Sequence, residues 1–154
     1  MTKDRAVSTT LSFVLILTIV TMLISGLFLA SSSFVNDQRD RAIRTEFDVI
    51  GQRLAADLTA TDRLVKAGGS GRSIQIKETL PNTVANAPYQ ITIRDNTIDT
   101  NNHKVTLFFT TSSPAINVSM TLRTQTEVKE TLVPGGDIVI EYDDGPNQLV
   151  VEDD

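Results

Sequence analysis

The stretch that decides the fold is Leu11–Ala30, LSFVLILTIVTMLISGLFLA. It has twenty residues and no charge, and a helix of that length spans about 30 Å, the thickness of a bilayer's hydrocarbon core. The uncharged run extends from Ala6 to Asn36. A buried core helix is the bland alternative, but few small domains could cover such a helix on every side. The sequence therefore predicts a transmembrane helix over residues 7–35.

A cleaved secretory signal is a second alternative for the same segment. A short charged segment precedes the apolar run, and Ser31–Ser33 supply small residues after it. However, the run is longer than the 7–15 apolar residues usual in such signals. The helical pattern also continues beyond Ser33, which favours a segment that is retained.

The next segment, residues 36–67, is charged but keeps a helical period, and we call it the stem. Its apolar residues recur at spacings of three, four and seven: Ile43, Phe47, Ile50, Leu54, Leu58 and Val65. Such a stripe marks one apolar face of an amphipathic helix. Lys66 followed by Gly68 and Gly69 predicts the helix end. The stripe must be covered by the rest of this chain, between about residues 43 and 65, or by another copy's stem.

Residues 72–154, which we call the head, change to a period of two and are rich in β-branched residues. Five turn signals separate the apolar runs: Asp95–Asn96, Asn101–Asn102, Ser112–Pro114, Pro134–Gly136 and Asp143–Pro146. We expect six to eight short, antiparallel strands. The predicted fold class is therefore α+β, with a long N-terminal helix, half transmembrane and half amphipathic stem, followed by a small antiparallel β head.

Composition removes several classes of function. The chain has no Cys and one His, which excludes disulfides, thiolate metal sites and histidine clusters. A net charge of −5 argues against a nucleic-acid partner. The abundant Ser and Thr lack an accompanying base and acid, so we expect no catalytic residue, no metal site and no cofactor. We expect His103 in a surface turn, and the acidic residues after Tyr142 on a solvated surface.

Three small hydroxyl residues share one face of the apolar helix. Thr18, Thr21 and Ser25 are spaced i, i+3 and i+7. Residues of this kind let transmembrane helices approach closely and hydrogen-bond to each other. The alternative is that each hydroxyl bonds the carbonyl four residues before it and has no role in packing.

Asn117-Val118-Ser119 is an acceptor sequence for N-glycosylation. It has meaning only if the head lies outside the cytoplasm. Because side chains alternate along a strand, Asn117 and Ser119 share the face opposite Ile116, Val118 and Met120. We therefore expect the Asn117 amide on the solvent side.

The N-terminal order of features resembles an archaeal type IV pilin-like protein. Asp4-Arg5-Ala6-Val7-Ser8 before an apolar run looks like the class III signal of haloarchaeal prepilins. The resemblance implies that a prepilin peptidase cuts between Ala6 and Val7, with Arg5 as the preceding basic residue. Residues 1–6 would then be a leader. Two departures are that Ser8 is followed by Thr9 rather than proline, and that Leu11 stands where bacterial pilins carry glutamate.

The resemblance implies a structural subunit or minor component of a type IV pilus-like surface assembly or filament with a part in adhesion. Its partners would be the lipid bilayer, the prepilin peptidase, and other pilin-like subunits or itself through the N-terminal helix. The chain would be a single-pass membrane protein with a cytoplasmic N-terminus and an extracellular head. The basic residues are divided between Lys3 and Arg5 before the segment and Arg39, Arg41 and Arg44 after it. The charge count alone therefore opposes this orientation.

A different class of function fits the same residues. The chain could be a permanently membrane-anchored cell-surface protein whose β head binds a partner or ligand. Retention of residues 1–6 would favour this alternative.

Overall fold

The structure is a computed structural model that describes residues 3–68, 74–99 and 102–154. One α-helix, α1, runs through Lys3–Gly68, and all strands follow it. The chain divides into two compact units, Met1–Arg39 and Asp40–Asp154, so α1 contributes residues to both. No proline occurs before Pro81, and α1 ends on Lys66 and Gly68 as the sequence predicts. The α+β fold class is confirmed.

Nine strands lie in the described part of the head. They are β1 Gln75–Thr79, β2 Thr83–Val84, β3 Ala87–Asp99, β4 Asn102–Ser112, β5 Ala115–Thr124, β6 Glu127–Val128, β7 Thr131–Pro134, β8 Asp137–Asp143 and β9 Gln148–Asp153. One sheet has the order β2-β3-β4-β5, with β7 also paired to β3, and the other has the order β1-β8-β9-β6. The expected number of strands was too low, because β2 and β6 have two residues each. The pairing is antiparallel except between β6 and β9, which are parallel.

The apolar stripe of the stem lies in the core of the second unit. All six predicted residues are buried in one cluster with the strands. Phe47 is at its centre, with ring centroids 5.5 Å from both Tyr89 and Phe109. Burial of six large apolar side chains contributes on the order of 10 kcal/mol. The expectation that the head covers the stem between residues 43 and 65 is confirmed, and the second unit accordingly begins at Asp40 rather than at the head.

A glycine allows the stem to approach the sheet closely. A Cβ atom at Gly51 would lie 3.1 Å from the ring of Phe109 and 3.1 Å from the end of Met120. These two side chains come from β4 and β5. A larger residue at position 51 would therefore have to displace both.

The turns between strands agree with the sequence at three positions and differ at one. Ser113–Pro114, Gly135–Gly136 and residues 144–147 lie between strands as expected. Asp95–Asn96 was wrongly predicted as a turn, since both residues lie within β3 and pair with Val105 and Lys104. The Asp95 carboxylate lies beside His103 and accepts the N–H of Val128. An aspartate with such partners inside the head can remain within a strand. Of the Asn101–Asn102 signal, Asn102 begins β4 and Asn101 lies outside the described residues.

Candidate functional site

The apolar segment of α1 is exposed throughout its described side chains. Its large apolar residues from Phe13 to Val35 range from 43% exposed at Val20 to 73% exposed at Phe28 and Leu29. By length and composition α1 holds one candidate membrane span, and none of its most apolar window is buried. The buried core helix is therefore wrong as an explanation. Exposure of so many adjacent apolar side chains to water is unfavourable, so this surface of the described chain favours an apolar surrounding.

The three hydroxyl residues on this segment each bond their own helix. The hydroxyls of Thr18, Thr21 and Ser25 donate to the carbonyls of Val14, Leu17 and Thr21, each at 2.8 Å. These are the bonds to the carbonyl four residues earlier in the same helix that the sequence offered as the alternative to helix packing. They satisfy the donors and leave small, exposed side chains on one face, so a packing role for this face stays a prediction.

The residues of the expected processing site lie at the start of the helix. Arg5, Ala6 and Val7 belong to the first turns of α1. Their side chains are outside the described part of the structure, and so are Met1 and Thr2. Cleavage between Ala6 and Val7 therefore stays a prediction.

Asn117 lies on the solvent face of β5, as its alternation predicts. Asn117 and Ser119 are exposed, Ile116 is buried, and Val118 and Met120 are half-buried. The amide is thus accessible in the folded head.

His103 was wrongly placed in a surface turn. It is the second residue of β4, is 5% exposed, and pairs with Thr97 and Thr124. Its Nδ1 lies 2.9 Å from Oδ2 of Asp95, and both side chains are buried. The same carboxylate oxygen accepts a hydrogen bond from the backbone N–H of Val128 at 2.9 Å. The pair therefore connects the β3–β4 hairpin to β6.

A second buried carboxylate joins the stem to the head. Asp62 is 6% exposed, and its carboxylate accepts the backbone N–H groups of Gln125 at 3.0 Å and Thr126 at 2.8 Å. These residues form the connection between β5 and β6. The hydroxyl of Thr124 donates to the carbonyl of Thr126 at 2.8 Å and closes the same turn. Asp62 therefore fixes this connection against α1.

A groove lies between the stem and the β2–β3 hairpin. It encloses about 630 Å³ and is mainly apolar, with Val49 and Leu80 in its lining. At its rim, Ala85 has a positive φ of 44°, a conformation that costs a residue with a Cβ atom about 1–2 kcal/mol. The Ala85 N–H donates to Oε2 of Glu46 at 3.2 Å, which holds that turn against the stem.

Among the described residues there is no group of three or more His, Cys, Asp or Glu side chains that could hold a metal ion. The acidic residues after Tyr142 are exposed, with Asp154 within 2.6 Å of Lys77. The expected solvated surface is confirmed at these positions.

Over residues 2–152 the chain matches a family described as a family of unknown function (DUF7266). The chain belongs to the DUF7266 family. No curated protein matches it, and no solved structure matches it. Membership of DUF7266 therefore brings no activity, ligand or partner with it, and a function for the chain has to be argued from its own residues.

The buried polar contacts of this DUF7266 chain left a signal in the sequence. Asp95 follows Ile91 and Ile93 at a spacing of two residues, so it lies on the same face of its strand as those buried residues. His103 precedes Val105 and Leu107 at the same spacing. Strand alternation alone therefore indicates that both side chains point into the head. Their contact could not be predicted, because it depends on the register between β3 and β4.

Proposed function

We propose that this DUF7266 chain is a non-enzymatic structural subunit, or minor component, of a type IV pilus-like surface assembly. The apolar segment holds it in the bilayer before assembly, with the N-terminus in the cytoplasm and the head outside the cell. Removal of residues 1–6 by a prepilin peptidase would leave a helix that begins at Val7. Neighbouring subunits would then replace the lipid around that helix, and the assembled filaments would contribute to adhesion.

The observation that carries the proposal is that the rest of the chain covers the apolar residues of one part of α1 and leaves those of the other part exposed. In the second unit, the stem buries its stripe against strands of the same chain. In the first unit, the described apolar side chains are all exposed. A helix segment with a complete apolar surface fits both a bilayer and a bundle of identical helices. No reaction by any side chain is needed for this role.

The test is the mass of the N-terminus of the protein from native membranes, with the prepilin peptidase present and deleted. We expect a chain that starts at Val7 only when the peptidase is present. A chain that keeps residues 1–6 in both strains contradicts the proposal. A chain that has lost the whole apolar segment would show that the segment is a secretory signal.

The hydroxyl face gives a second test. Replacing Thr18 and Ser25 by leucine keeps the helix apolar but fills the face with larger side chains. We expect assembly to decrease if helices pack there. The matched control exchanges Ile16→Leu and Leu23→Ile, which lie on the opposite face at about 100° per residue. Equal assembly in both variants would show that the hydroxyl face is not an interface.

A permanently anchored cell-surface protein with a binding head is the second candidate. The groove beside Val49 favours it, because mainly apolar concave sites commonly receive ligands. Val49 is 61% exposed there. An uncleaved N-terminus, together with a pool of protein that never leaves the membrane, would make this candidate the better one.

A further inference from the structure

Two hairpins of the head carry charges of opposite sign. The β4–β5 hairpin, Asn102–Thr124, contains Lys104 and Arg123 and no Asp or Glu. The acid-free run extends over residues 100–126. Residues 137–154, which include the β8–β9 hairpin, contain seven acidic residues and no Lys or Arg. A chain with a net charge of −5 therefore has one hairpin of the opposite sign.

The basic residues are grouped on the outer face of the five-stranded sheet. Lys104 and Arg123 are directly opposite each other in the register of β4 and β5, and both are exposed. Arg94 lies on the adjacent strand β3, exposed, with its guanidinium 5.5 Å from the ring centre of Phe108. We call Arg94, Lys104 and Arg123 the basic face.

No member of the basic face forms an ion pair within the described residues. Asp99 and Glu130 flank the face at the end of β3 and before β7, and Asp95 is buried with His103. Like charges directly opposite each other destabilise a pair of strands. The head therefore carries a repulsion between Lys104 and Arg123 that an acidic partner would relieve.

The acidic residues are exposed at the turn of the other hairpin. Asp143 and Asp144 are consecutive, Glu141 precedes Asp143 by two residues on the same side of β8, and all three are exposed. Oδ1 of Asp143 accepts the N–H of Gly145 at 3.1 Å and shapes the turn. We call Glu141, Asp143 and Asp144 the acidic turn. It belongs to the four-stranded sheet, whereas the basic face belongs to the five-stranded sheet.

We propose that the acidic turn of one copy binds the basic face of a second copy. The contact joins two different surfaces, so each bound copy offers a free acidic turn or a free basic face to the next one. Repeated heterologous contacts of this kind form open chains or rings, whereas reciprocal pairing of both surfaces between two copies would close a twofold dimer. The inference rests on the proposed assembly for its role, and it adds a contact between heads to the contact between helices.

Cysteine cross-linking of the full chain in detergent or membranes tests this contact, because the chain has no cysteine of its own. Thr121→Cys places a thiol on β5 beside the basic face, and Gly145→Cys places one in the acidic turn. A Cβ atom at Gly145 meets only Oδ1 of Asp143, at 3.4 Å. We expect the double variant to give a ladder of disulfide-linked multimers on oxidation. The control moves the first thiol to Asn117→Cys, at the far end of β5.

Charge reversal identifies the partner. Lys104→Glu with Arg123→Glu keeps a like-charged pair on the sheet, so the repulsion inside the chain is preserved. We expect this change to lower the yield of the ladder about tenfold, which corresponds to 1.4 kcal/mol. A second chain with Glu141→Lys and Asp144→Lys should restore the cross-link when the two are mixed. Asp143 is left unchanged because it shapes the turn.

Three results overturn the inference: no ladder from the double-cysteine chain, a ladder that charge reversal leaves unchanged, or no rescue by the reversed turn. In the last case the basic face binds another anion, such as a lipid headgroup or a different protein. Thermal unfolding followed by far-ultraviolet circular dichroism establishes that each variant is folded, because the Tyr142 hydroxyl donates to Oδ1 of Asp144 at 3.4 Å and its near-ultraviolet signal would change with Asp144→Lys alone. N-terminal processing is measured separately, so a chain that keeps residues 1–6 but forms the ladder refutes the proposed function alone.

Discussion

Replacing Asp62 should loosen the head from the stem. Its carboxylate accepts two hydrogen bonds, from the backbone N–H groups of Gln125 and Thr126. Asp62→Ala leaves the Thr126 N–H without its acceptor, and Thr126 is 1% exposed. A buried donor without a partner costs about 1–3 kcal/mol. The bond from Gln125, which is exposed, adds about 1 kcal/mol because water can replace the carboxylate there.

The expected loss in the free energy of unfolding is therefore roughly 2–4 kcal/mol. For a unit of this size, that lowers the melting temperature by roughly 8–16 °C. Asp62→Asn should lie between the wild type and Asp62→Ala. Its amide oxygen can accept one N–H group, but its NH₂ group would face the other donor.

Thermal unfolding of the full chain in mild detergent measures this effect, followed by the near-ultraviolet circular dichroism of Tyr89 and Tyr142. Asp48→Ala is the control, because Asp48 is exposed on the same helix and should change stability by less than about 0.5 kcal/mol. If Asp62→Ala and this control have the same melting temperature, the Asp62 carboxylate does not hold the β5–β6 connection.

Three further predictions concern the head. Burial and the charge of Glu46 raise the pKa of Tyr89 to about 12. The unfolded chain therefore releases this proton first, and the Tyr89 hydroxyl should lower the free energy of unfolding by roughly 2 kcal/mol between pH 10 and pH 12. Tyr89→Phe should show a smaller fall than the wild type in alkaline urea titrations, and the remaining fall comes from Tyr142, whose pKa is raised by burial and by Asp144. Gly51→Leu should lower the free energy of unfolding by about 1–3 kcal/mol, because the larger side chain overpacks the core. Ala56→Leu, at an exposed position of the same helix, should leave it unchanged. Equal urea midpoints for the two variants would contradict this prediction. His103→Leu should cost about 1–3 kcal/mol, because the buried Asp95 oxygen loses the polar neighbour at 2.9 Å. Asp95→Asn in the same chain should recover at least about 0.5 kcal/mol of that loss, and strictly additive losses in the double variant would mean that the pair is not coupled.

The architecture could be predicted because its signals are periodic. The stem residues Ile43 to Val65 repeat with a helical period, and all six are buried. The uncharged run before them contributes no described side chain to the core, and its described apolar side chains are exposed. These patterns depend on neighbours within a few residues, so they can be seen in one sequence.

The polar contacts could not be predicted in the same way, because they join residues far apart in the chain. Asp62 contacts residues 63 and 64 positions away. The direct opposition of Lys104 and Arg123 depends on the length of a turn. Asp95–Asn96 also matched a turn signal, yet the partners of Asp95 keep it within a strand. Each of these features depends on strand register, which composition and period do not fix.

The position of β9 has a consequence for biosynthesis. This strand, Gln148–Asp153, lies between β8 and β6 inside its sheet, although it follows every other strand in the sequence. The ribosome therefore makes the apolar segment and the stem first, and the residues that complete the four-stranded sheet last. Until β9 emerges, the apolar stripe from Ile43 to Val65 lacks part of its cover and is open to aggregation. Under the proposed function, insertion of the apolar segment would begin before the head can fold, while the four-stranded sheet is still incomplete.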